Sequence, residues 1–167
     1  MKVFVLALLA AVAVVSYAQK PNPIPIPSFN LSKIEGQWYG IFDYDANINN
    51  EKLSWTCWSI NIHVDGNDIH ITQTTKINGK KATHTSTGIV STKTSIWQID
   101  GEDWAWISLD PISQSWGTIG SLNNQSCFMI ARKEKLDFDI TQTQYQLARA
   151  EGYLINATNT VSIAGKC

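Results

Sequence analysis

Residues 55–77 read Trp-Thr-Cys-Trp-Ser-Ile-Asn-Ile-His-Val-Asp-Gly-Asn-Asp-Ile-His-Ile-Thr-Gln-Thr-Thr-Lys-Ile. Apolar and polar side chains alternate on both sides of Asp65-Gly66-Asn67. In the first run Trp58, Ile60, Ile62 and Val64 share one face, and Ser59, Asn61 and His63 the other. In the second run Ile69, Ile71, Gln73, Thr75 and Ile77 oppose His70, Thr72, Thr74 and Lys76. A period of two marks strands with one covered and one wet face. Asp-Gly-Asn between two such runs is hairpin-turn chemistry. The stretch is therefore a β-hairpin whose covered face carries a polar Gln73 among isoleucines.

The same pattern continues outward. Trp38–Tyr44, Ala82–Val90, Thr94–Asp100, Trp104–Leu109, Ser115–Leu122 and Cys127–Arg132 read as strands rich in Ile, Val, Thr and Trp. They are punctuated by Asn78-Gly79-Lys80, Asp100-Gly101-Glu102, Asp110-Pro111 and Asn123-Asn124. Ser28 to Gly36 reads as a turn or 3₁₀ segment. Ile140–Glu151 is the one convincing helix, stopped by Gly152, and Tyr153–Asn156 reads as a short last strand. The expected fold is all-β: an eight-stranded antiparallel up-and-down barrel with one C-terminal α-helix packed outside. Closure removes the sheet edges, and eight strands is a size that can hold one small ligand.

Strand parity assigns the interior. Phe42 and Tyr44 fall on the same face as Trp38, Trp104 and Trp106 lie two apart, and Phe128 and Ile130 point inward. A stripe of this kind is usually plain core, but a polar Gln73 inside favours a part-filled, ligand-holding chamber.

The chain has 167 residues, with 13 Lys+Arg against 14 Asp+Glu and a net charge of −1. That balance leaves no basic footprint for nucleic acid, and the length suits one domain. Residues 1–18 read as a secretory signal peptide: a basic start, an apolar run over residues 3–15, and small residues before a cut at Ala18. No second apolar stretch suggests a transmembrane segment. Residues 19–28 form a Pro-rich arm, and 29–167 the single barrel domain. Three sequons, at Asn30, Asn124 and Asn156, fit an extracellular glycoprotein. Three cysteines, Cys57, Cys127 and Cys167, suggest one pair and one leftover, and spacing alone does not say which.

Two further segments carry a family resemblance. Phe29 to Tyr39 contains Gly36-Gln37-Trp38, which resembles the Gly-x-Trp signature of the lipocalins. Ser108-Leu109-Asp110 resembles the second lipocalin signature, although it departs from Thr-Asp-Tyr at both Thr and Tyr. Phe128 to Arg132 resembles the third, which ends in Arg. Within the family the chain is similar to the apolipoprotein D and insect bilin-binding branch. That resemblance implies a Cys57–Cys167 disulfide, while the cysteines of the branch's other disulfide are missing. It also implies that Gly36, Trp38 and Arg132 are structural, with Arg132 lying across the Trp38 indole at the closed end. Cys127 has the parity of an outward residue beneath the helix. Asp45–Ser54 corresponds to the long loop over the mouth.

The expected function is that of a secreted carrier of a small hydrophobic ligand: a bilin, sterol, retinoid, fatty acid or pheromone. Its binding residues would be Phe42, Tyr44, Trp58, Ile60, Ile62, Ile71, Gln73, Trp104, Trp106 and Phe128, with Tyr44 and Gln73 orienting a polar end. The competing expectation is a subunit of a protein or pigment complex, or a homo-oligomer, using the Thr-rich strand faces (Thr72, Thr74, Thr83, Thr85, Thr87). Those threonines are equally well explained by β propensity. No catalytic arrangement, metal-ligand set or cofactor motif is present, so neither an enzyme nor a required cofactor is expected. His63 and His70 fall on the outer face. His84 is the histidine that could face inward, more in keeping with a pocket group than a haem ligand.

Overall fold

The computed structural model describes residues 23–27, 30–48, 54–91, 95–164 and 167. The signal-peptide reading, residues 19–22 and 28 of the arm, and residues 49–53 of the mouth loop lie outside them. A 3₁₀ turn at Leu31–Lys33 leads into β1 (Gly36–Asp45). Asn30 caps that turn by accepting a hydrogen bond from the Ser32 amide. The strands that follow are β2 (Trp55–Asp65), β3 (Asp68–Ile77), β4 (Lys80–Val90), β5 (Ile96–Ile99), β6 (Glu102–Leu109), β7 (Trp116–Ser121) and β8 (Ser126–Ala131). Then come helix α1 (Phe138–Ala150) and strand β9 (Thr160–Ser162).

Every consecutive pair from β1 to β8 is antiparallel, and β8 returns to β1, closing the barrel. The hairpin legible in residues 55–77 holds its register from Asp65↔Asp68 to Cys57↔Lys76, and a bulge between Cys57 and Trp55 shifts it by one residue at Trp55↔Ile77. β1 has a divided edge. Gly36–Tyr39 pair with β2, whereas Phe42–Tyr44 pair with β9 on that side and with β8 on the other. The Cys57–Cys167 disulfide fastens the tail to β2. It closes a sequence separation of 110 residues; in the chain-entropy account a loop of that length stabilises by about 4–5 kcal/mol.

Two apolar clusters lie on opposite sides of the barrel wall. The inner one includes Ile34, Trp38, Trp58, Ile60, Ile62, Trp97 and Trp106. The outer one joins Ile41, Phe42, Tyr44, Ile107, Cys127, Met129 and Ala131 of the wall to Ala148, Tyr153 and Ile155 of the helix and the segment after it. Phe42 stacks on Tyr145 with centroids 4.3 Å apart, and Tyr44 meets Tyr153 edge-on. Buried Gln144 of α1 accepts hydrogen bonds from the Thr118 and Ser108 hydroxyls, latching the helix to β7 and β6. Cys127 is buried in this layer, beneath the helix. Burial pushes its thiol well up, and neighbouring Asp43 adds to the effect.

Phe42 and Tyr44 are therefore not inside the barrel. A β-bulge between Gly40 and Phe42 puts one extra residue, Ile41, into β1 opposite β8. Beyond it the parity of the strand reverses. Phe42 and Tyr44 turn outward to the helix, and Asp43 turns inward.

The segment Tyr153–Asn156 is not a strand. Its buried positions alternate, but the Tyr153 amide bonds to the helix carbonyl of Ala148, and Asn156 and Asn159 form a turn. The final strand comes later, at Thr160–Ser162. The Asn124 sequon is also unsuited to a glycan. Asn124 is 2% exposed, and its amide nitrogen, the atom a glycan would occupy, donates to the Glu151 carbonyl. Asn30 and Asn156 are exposed.

Candidate functional site

The barrel holds a cavity of about 740 Å³. Its floor is a packed tier of indoles. Trp106 sits 5.8 Å from Trp38 and 5.5 Å from Trp97, measured between ring centroids. Trp38 donates from its indole nitrogen to the Ile34 carbonyl at 2.6 Å. Beneath it the Arg132 guanidinium carbon lies 3.8 Å from the Trp38 ring centroid. Arg132 also donates to the carbonyls of Gln37, Lys33 and Glu35 at 2.6–2.8 Å. Burial lowers its pKa from the usual guanidinium value. Gly36 adopts φ +91°, which an L side chain rarely tolerates, as the chain passes from the 3₁₀ turn into β1 beside Arg132.

Above the floor the wall is aromatic. Trp58 meets Phe128 edge-on at 5.2 Å, Phe128 meets Trp104 at 5.5 Å, and Trp55 tilts against Trp58 at 5.8 Å. The Trp58 indole lies over Gly40, where any Cβ would fall 2.1 Å from a ring carbon, so a glycine is required there. Ile60, Ile62 and Ile71 complete the apolar lining, and Gln73, His84 and Ser86 supply polar groups. The rim is built from strand ends and turns that include Asp45, Asn47, Asp100, Glu102, Asn123 and Gln125.

No protein-family model and no curated protein sequence matches the chain. Its structure, however, resembles several solved ones. One is the siderocalin Ex-FABP, with a TM-score of 0.64 and 12% identity over 81% of this chain and 96% of that one. A second is insecticyanin from the tobacco hornworm Manduca sexta, at 0.62 and 13%, covering 86% and 85%. A third is apocrustacyanin C1, at 0.59 and 14%, covering 80% and 78%. The fold is that of the lipocalins.

Set on this lipocalin frame, the sequence-selected residues divide into three groups. Trp58, Ile60, Ile62, Ile71, Gln73, Trp104 and Phe128 all line the cavity. Trp106 points inward as its parity requires, but it is 0% exposed and lies below the cavity, in the floor. Parity gives a side chain's direction and not its depth along the barrel. Phe42 and Tyr44 lie outside, in the helix layer.

Asp43, Trp97 and Ser86 line the cavity without having been singled out. The sequence did carry a signal for Asp43. The adjacent apolar pair Ile41-Phe42 breaks the alternation of β1, as an inserted residue does. Asp110, in the divergent second signature, has a structural role. Burial alone would raise its pKa, but hydrogen bonds from the Ser113 and Ser115 hydroxyls and the Ile112 and Ser115 amides hold it well below the usual carboxylate range. Among the described residues no grouping of His, Cys, Asp and Glu could hold a metal, and no helix is long and apolar enough to cross a membrane.

Proposed function

We propose that this chain is a secreted carrier that holds a small hydrophobic ligand inside its barrel. The observation that carries the reading is the cavity itself: about 740 Å³, closed below by packed indoles and walled by Trp55, Trp58, Trp104 and Phe128. That volume lies within the range of small-molecule sites, and aromatic walls with a few polar groups are their usual chemistry. Trp58, Ile60, Ile62, Ile71, Gln73, Trp104 and Phe128 are the proposed contacts, joined by Trp97. Gln73, rather than Tyr44, is placed to orient a polar end. The resemblance to a siderocalin that functions through dual ligand specificities fits a binding role. Secretion is supported by the basic-apolar start of the chain and by a disulfide of the kind that persists in oxidising compartments.

The test is a titration of purified protein with retinol, a long-chain alcohol and a bilin, followed by tryptophan fluorescence. Saturable quenching by at least one probe is expected, with weakened binding in Trp58→Ala and Trp104→Ala. If no probe gives a saturable change, the carrier reading fails.

A further inference from the structure

The inner face of the β3–β4 hairpin changes with depth. Gln73 pairs with His84 and Ile71 with Ser86, and all four side chains line the cavity. β4 enters from the mouth, so His84, which is exposed, stands above Ser86. Ser86 lies two residues further down the strand, about 7 Å. It is 4% exposed, and its hydroxyl has no hydrogen-bond partner among the described residues. Buried hydroxyls are normally paired, so one left open to a cavity awaits a partner from within it. A ligand that met it with hydrocarbon would strip away water and leave the group unpaired, whereas an acceptor restores the bond.

A second observation on the same cavity says which kind of partner is missing. Trp58 and Trp97, 3% and 1% exposed, both line it. Their indole nitrogens are buried and have no hydrogen-bond partner among the described residues. An indole N–H donates and cannot accept, while a hydroxyl does either. One group therefore suits all three, a hydrogen-bond acceptor. Ser86 is the one placed to meet it directly, because the two nitrogens are covered unless their rings turn. Ile71 and Ile62, which adjoin Ser86 across the ladder, offer no positive charge. A carboxylate at that depth would be buried without an ion-pair partner there.

We propose that Ser86 is the hydrogen-bonding seat of the cavity and that the ligand is an uncharged hydrophobe bearing a carbonyl, which accepts from the Ser86 hydroxyl. The inference rests on the carrier reading and names its ligand class and the residue that selects it. The apolar body lies toward Trp58, Trp104 and Phe128, and the Gln73 amide stands one level above the carbonyl.

The experiment uses two probes of one shape, 2-acetylnaphthalene and 2-isopropenylnaphthalene, which differ in a C=O against a C=CH2. Each is titrated into the purified full chain and followed by tryptophan quenching. Ser86→Ala should weaken the ketone about threefold to tenfold and leave the alkene unchanged or slightly tighter, so that the ratio between the probes isolates the hydrogen bond. Ser86→Thr, which keeps the hydroxyl, should retain most of the ketone's affinity. With the ketone carbonyl labelled with carbon-13, its infrared band in the parent complex should lie at lower frequency than in the Ser86→Ala complex. An unchanged ketone-to-alkene ratio with an unchanged band in Ser86→Ala would overturn the inference and leave the carrier reading standing. So would binding of the alkene without the ketone. Binding of neither probe would overturn both.

Discussion

The Arg132 guanidinium sits over Trp38 and donates to the backbone carbonyls of Lys33 and Glu35, ahead of β1, and of Gln37 at its start. One side chain thus holds the last barrel strand, the floor indole and the entering chain together. Arg132→Met keeps the apolar stem but removes the charge and the donors. It should cost about 2 kcal/mol in urea unfolding, with ligand affinity little changed because the residue lies below the floor. Asp110 sets a pH dependence. Its folded pKa is depressed, so its stabilisation is complete above the unfolded value near 4 and is lost as pH falls below it. Asp110→Asn should destabilise at pH 7 by about 1–3 kcal/mol and flatten the acid decline of the unfolding midpoint between about pH 4 and pH 2. At Asn30 and Asn156 the side-chain oxygen accepts from the amide and hydroxyl two residues on, and both residues are exposed. Peptide mass spectrometry of protein from a secretory host should find glycan at these two positions and none at Asn124. The roles of Trp38 and Arg132 were legible because the family signature fixes both residues. The place of Trp106 was not, because its two-residue spacing from Trp104 gives the same facing for wall and floor.

Strands and helix differ in how much of them could be read. From Cys57 to Asp65 in β2 and from Asp68 to Lys76 in β3 the alternation was legible to the register, since slipping one residue would expose every isoleucine; the bulge between Trp55 and Cys57 was not. β1 was read correctly as a strand and wrongly as to face beyond Ile41, because one extra residue changes no propensity but reverses every later side chain. The same bulge that sends Phe42 and Tyr44 to the helix delivers Asp43 to the cavity. Helix α1 was found to within two residues at its start, but its attachment was not, because a buried glutamine in a helix has no sequence signature. Gln144→Ala removes the acceptor for the Thr118 and Ser108 hydroxyls. It should destabilise by about 1–3 kcal/mol. Hydrogen exchange should show faster exchange in α1 first, with the β2–β3 hairpin less affected.

At the scale of the molecule, the eight-stranded barrel followed from counting strands and asking how a meander hides its edges. The extent to which the interior is filled did not, because it depends on how deep each indole sits. Replacing both Cys57 and Cys167 by Ser should lower stability by up to about 4–5 kcal/mol, measured against the oxidised parent in urea, while the cavity residues remain unchanged. That pair fastens the tail against a stretch of β1 that β2 does not reach. Residues 160–162 thus finish a wall begun at residue 36, and they are the last part of the barrel to be synthesised. While the chain is still emerging from the ribosome, the edge of β1 at Phe42–Tyr44 has no partner from the tail. A growing chain carries that exposed edge, open to pairing with other strands, until residues 160–162 have emerged to cover it.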